Sequence, residues 1–111
     1  MPDMDPMVAK RRELQTKLET ILGSKNVYFQ PPSNIKLKYP CFIYERSTPY
    51  TLKADDINYL TRGHYSVTFI STDVEKCMAM MTKMLDSFDH ISVEREFISE
   101  DLNHDVYNLY Y

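Results

Sequence analysis

The chain has 111 residues, room for a single domain with one hydrophobic core. Its 13 Lys and Arg against 16 Asp and Glu leave a formal charge of -3, which argues against nucleic-acid binding driven by bulk electrostatics. Nine Tyr and five Phe with two Gly and no Trp describe a sheet-rich, sparsely looped protein, because aromatic side chains suit pleated surfaces. The first seven residues hold no cationic region followed by an apolar run, and nowhere do eighteen apolar residues follow one another. These features predict a soluble protein made in the cytosol, with no part in the membrane. Cys41 and Cys77, without a Cys-x-x-Cys spacing, read as reduced packing thiols.

Residues 1–7 read as a polar, flexible arm, and residues 8–111 as one α+β domain. Leu14, Leu18, Ile21 and Leu22 recur at helical spacing and predict a first helix that Gly23 closes. Residues 26–30 form a short strand stopped by Pro31 and Pro32. After a linker, Tyr39-Pro40 leads into a strand over residues 41–45 whose two faces are both largely apolar, which places it centrally in a sheet. Residues 64–71 alternate, with Tyr65, Val67 and Phe69 on one side and Ser66, Thr68 and Ile70 on the other.

These two strands pair as an antiparallel hairpin whose connection is long and carries Tyr50, Leu52 and Tyr59 around a turn at Ala54-Asp55-Asp56. A turn centred on Asp55-Asp56 sets Leu52 opposite Tyr59, Tyr44 opposite Val67 and Phe42 opposite Phe69. The apolar sets then coincide on one side, as a protruding hairpin arm requires.

Thr72-Asp73-Val74-Glu75 matches a capping box, with Thr72 as the cap of a helix starting near Asp73. The expected buried stripe is Val74, Cys77, Met78, Met81, Met84, Leu85 and Phe88; a Met-rich stripe also suits an adaptable groove, but a core helix is the plainer reading. Ile91, Val93 and Phe97 share one side of the next strand. The closing strand, residues 102–111, puts Leu102, His104, Val106, Asn108 and Tyr110 on one face and Asn103, Asp105, Tyr107, Leu109 and Tyr111 on the other. Aromatic or aliphatic surface on both faces suggests that one meets the core and the other a partner. The expected order is α-β-β-β-α-β-β, two helices on one face of a mostly antiparallel sheet with a long protruding hairpin.

Chemistry-bearing sets are sparse. Asp55 and Asp56 could bind a cation, but adjacent acids in a turn are ordinarily solvated. His104 and Asp105 are neighbours on a strand, point to opposite faces and cannot orient each other as a catalytic pair. No zinc spacing or phosphate-wrapping glycine loop occurs, so neither cofactor nor metal is expected and the chain reads as no enzyme.

Four segments carry a resemblance: Asn26-Val27-Tyr28-Phe29-Gln30-Pro31-Pro32, Lys38-Tyr39-Pro40-Cys41-Phe42-Ile43-Tyr44-Glu45, Tyr65-Ser66-Val67-Thr68-Phe69-Ile70, and Leu102-Asn103-His104-Asp105-Val106-Tyr107-Asn108-Leu109-Tyr110-Tyr111. Together they resemble the tail terminator or tail-completion proteins of the tailed-bacteriophage neck. The resemblance spans most of residues 8–111; the first seven residues and the Met-rich second helix depart from it.

What the resemblance implies is a structural virion protein, assembled in the host cytoplasm as a ring that is typically hexameric. Such a ring caps the tail-tube protein, meets the head connector or stopper protein, and lets DNA pass its lumen without specific binding. A closed ring of head-to-tail contacts needs two different patches on each subunit. The candidates are the arm, with Tyr50, Leu52, Lys53, Asp55, Asp56, Ile57 and Tyr59, and the closing strand, with Tyr107, Leu109 and Tyr111. Two other classes compete: a small nucleic-acid-binding or regulatory module using Lys10, Arg11, Arg12, Lys36 and Lys38, and a metal-dependent hydrolase around Asp55, Asp56 and His64.

Overall fold

The computed structural model describes residues 5–47 and 63–111. In chain order the elements are α1 (Pro6–Leu22), β1 (Val27–Phe29), β2 (Cys41–Arg46), β3 (His64–Ser71), α2 (Val74–Ser87), β4 (Ile91–Ser99) and β5 (Leu102–Tyr110). This is the expected α+β order. The five strands form one sheet, β1-β2-β3-β5-β4, in which only β1 and β2 pair in parallel. Tyr44 opposes Val67 and Phe42 opposes Phe69, the register that the hydrophobic pattern dictates. The protruding arm assigned to that hairpin, with its turn at Asp55-Asp56 and the Leu52–Tyr59 pair, lies outside the described residues.

Both helices begin at an aspartate. The Asp5 carboxylate accepts from the Met7 and Val8 amides, and Pro6 occupies the first turn, where its missing N–H costs nothing. Residues 6 and 7 are therefore helical and not part of a polar arm. Gly23, at φ 81°, closes α1 as its sequence position suggests, with its N–H donating to the Glu19 carbonyl at 2.8 Å. At α2 the cap is Asp73 and not Thr72: its carboxylate accepts the Glu75 amide at 2.9 Å. The carboxylate is also the better cap, because its negative charge favours the positive end of the helix dipole.

Both helices lie on one face of the sheet. Leu14 and Leu18 of α1 and Cys77, Met80 and Met84 of α2 meet Phe42 and Tyr44 of β2, Tyr65, Val67 and Phe69 of β3, and Tyr107 and Leu109 of β5. Burying these side chains is the main favourable contribution to folding, about 1.5–3 kcal/mol for each large apolar group. A polar thread joins α1 to the sheet: the Tyr44 hydroxyl donates to Gln15 Oε1 at 2.7 Å, and Gln15 Nε2 donates to the Val27 carbonyl at 3.0 Å. The core therefore holds α1 over β1 and β2 at one side and α2 over the rest.

Candidate interaction surfaces

Of the residues assigned to partner contacts, Tyr50, Leu52, Lys53, Asp55, Asp56, Ile57 and Tyr59 lie outside the described residues. Tyr107 and Leu109 are fully buried core residues, which corrects their assignment to an outer face. Alternation correctly separates the two faces of β5, but the strand lies between β3 and β4, and the face with Tyr107 and Leu109 is the one the helices cover. Tyr111 is half-buried and ties this end of the sheet to both helices. Its hydroxyl donates to Glu13, its ring meets Phe88 edge-on at 5.9 Å, and the Lys10 ammonium lies 4.9 Å from the ring centroid. Burial and the Glu13 carboxylate push the Tyr111 hydroxyl up to about 12. It serves as an internal fastener.

Exposed apolar surface appears elsewhere. The apolar arc of α2 is too wide for the sheet to cover, and its buried side is turned towards Met80, which the expected stripe omitted. Val74, Met78 and Leu85, expected inside, are exposed, Met78 at 64%. They stand beside β4, which has its own surprise. Val93 opposes Tyr107 and the next row is Arg95 opposite Val106, so Glu94 is the extra residue of a β-bulge. The insertion reverses side-chain parity, and Phe97 no longer shares a face with Ile91 and Val93. Phe97 instead stacks on His104, while Glu96 and Ile98 (73% exposed) come round towards α2.

The result is a groove between α2 and β4, about 540 Å³ in volume, lined by Val74, Met78, Met81 and Leu85 together with Glu96 and Asp105. A shallower continuation runs between Val74 and Ile98. Asp105 is 6% exposed, and its carboxyl is raised above the ordinary carboxylate range by burial first and by the nearby Glu96 second, with His104 opposing. Burial and the same acids push the Cys77 thiol up to about 11, so it is a packing group and not a thiolate nucleophile. Burial likewise pushes Cys41 up to about 11. His104 and Asp105 face opposite sides, as alternation requires. His64 stacks on Tyr110 at 4.3 Å, and the aspartates proposed to join it in a metal site lie outside the described residues. Among the described residues, no group of three or more His, Cys, Asp or Glu is placed to hold a metal ion.

Charge is distributed unevenly along the chain. Residues 5–40, which supply α1, β1 and the segment after it, carry seven Lys or Arg against three acids; residues 72–105, which supply α2 and β4, carry nine acids against three bases. Some of the basic groups are engaged within the fold: Arg11 lies over Phe29 and donates to the Tyr44 hydroxyl at 3.3 Å, and Lys17 donates to the Ser87 carbonyl at 2.7 Å. Lys36 and Lys38 are exposed, between the exposed Ile35 and Tyr39. From sequence an adaptable groove on the Met-rich stripe was only the lesser reading, and the uneven charge was not singled out. The available signal was the breadth of the Met-rich arc and the uneven distribution of charge along the chain.

No protein-family model, no curated protein and no solved structure matches the chain.

Proposed function

We propose that the chain is a structural protein of a phage neck, a ring-forming tail terminator that caps the tail tube and joins it to the head connector. The observation that carries this reading is where the resemblance falls. Its four segments supply β1, β2, β3 and β5, which are consecutive neighbours in the sheet. The resemblance thus concerns one continuous framework, and α2, which departs from it, lies across that framework with β4. A joining role also suits the exposed apolar side chains beside acidic groups at Val74, Met78, Glu96 and Ile98 and beside basic groups at Ile35, Lys36, Lys38 and Tyr39, since assembly by contact needs complementary patches and no reacting groups.

The ring would present one side to the tail-tube protein and the other to a connector or stopper protein, with DNA passing through the lumen. The test is to add the purified protein to polymerising tail-tube protein and measure tube length by electron microscopy. Tubes of limited length bearing a cap at one end are expected. Unaltered tube growth, together with salt-sensitive DNA binding by a stable monomer, would replace this reading with the nucleic-acid-binding one through Lys10, Arg11, Arg12, Lys36 and Lys38.

A further inference from the structure

We infer that the acidic, apolar groove between α2 and β4 receives the 35–39 segment of a second copy of the chain, docked head to tail. The contact deepens the assembly reading above and rests on it in requiring that copies of the chain meet. Residues 35–39 read Ile-Lys-Leu-Lys-Tyr, belong to no strand, and expose Ile35, Lys36, Lys38 and Tyr39 beside the three-residue edge strand β1. In an extended stretch such alternation gives an apolar row and a basic row. The groove offers a matching pair: Val74, Met78 and Ile98 for the apolar row, and the carboxylates of Glu96 and Asp105 for the ammonium groups. Asp105, nearly buried and raised by that burial first and by Glu96 second, gains most from an incoming cation, because a buried charge is costly until it is paired.

The occupant must come from another molecule. The segment lies beside β1 and the groove beside β4, at opposite edges of a five-stranded sheet, about 19 Å apart at ~4.8 Å per strand. A symmetric contact of groove against groove would oppose like charges. Strand addition at β4 is disfavoured too, since the bulge at Glu94 and the charges of Glu94, Arg95 and Glu96 interrupt that edge. Two unlike patches at opposite edges make a heterologous contact, which repeats from copy to copy and closes when the rotation allows.

The experiment measures the mass of the full chain by sedimentation and light scattering over a range of concentration and salt. Glu96 and Lys38 are both exposed, so Glu96→Lys and Lys38→Glu should fold normally, which unchanged melting temperatures would establish. Each single variant should weaken self-association by about tenfold or more, and the double variant should regain most of it by restoring the pair in reversed sense. High salt should weaken the wild type. A wild type that stays monomeric throughout, single variants that associate normally, or a double variant that stays dissociated would each overturn the inference. Single variants that associate normally and still limit tube growth would remove this contact and leave the tail-terminator reading intact. Charge-swap rescue in a protein without effect on tubes would do the reverse.

Discussion

Tyr44 and Tyr107 are both fully buried on the helix-covered face of one sheet, yet their hydroxyls fare differently. That of Tyr44 donates to Gln15 and accepts from Arg11, whereas that of Tyr107 has no hydrogen-bond partner among the described residues. The same substitution should therefore have opposite signs. Tyr44→Phe takes the hydroxyl donor from the half-buried Gln15 amide oxygen and should cost about 1 kcal/mol, the usual net loss for such a hydrogen bond. Tyr107→Phe removes an unpaired hydroxyl and should be neutral or stabilising by up to about 1 kcal/mol. Urea denaturation of both variants checks this; equal losses would show that the two hydroxyls are equivalently satisfied.

Asp105 makes stability depend on pH. Its carboxyl is raised from the ordinary 3.8 by burial and by Glu96, so the folded chain binds this proton more readily than the unfolded one. Its contribution favours the folded state more strongly as pH falls through the raised value, and the gain is complete below the unfolded value. Glu96 and His104 are the ionisable side chains that act on it. Asp105→Asn should raise the urea midpoint at neutral pH, and its advantage over the wild type should shrink as pH falls through the raised carboxyl value towards the ordinary 3.8. An advantage that is constant with pH would show that ionisation of Asp105 is not responsible.

The caps allow a sharp comparison between adjacent residues. Asp73→Ala removes the acceptor of the Glu75 amide and should cost about 1 kcal/mol, the usual loss for an N-cap. Thr72→Ala should change stability by less than about 0.5 kcal/mol, as surface substitutions generally do. Thermal melts of the two variants decide which residue starts the helix.

Much of the fold was legible because its signals are local or periodic. Strand alternation fixed the β2–β3 register, and Gly23 marked the end of α1. What alternation cannot reveal is which face of a strand turns inward, and in β5 both faces carry large side chains, so Tyr107 and Leu109 were placed outside when they belong to the core. A bulge is equally silent: nothing in Val93-Glu94-Arg95 announces that one residue will be left over, and every side chain after it changes sides. The groove depends on both effects and on the orientation of α2, all of them set by packing and not by local pattern. Which residues of the stripe line it could be told only once the sheet order had put β4 at an edge.

The orientation of α2 gives the last test. Met84 is fully buried in the core and Met78 is exposed, although both belong to the same apolar arc. Met84→Ala should destabilise the chain by about 2–4 kcal/mol, the range for truncating a buried Met with partial collapse of the cavity. Met78→Lys should leave stability within about 0.5 kcal/mol, since it replaces one solvated side chain with another. Were the helix turned as its Met-rich stripe first suggests, with Met78 inside, Met78→Lys would bury an unpaired ammonium and cost several kcal/mol. The pair of denaturation midpoints therefore reads the rotation of the helix directly, and with it the apolar wall that the groove requires.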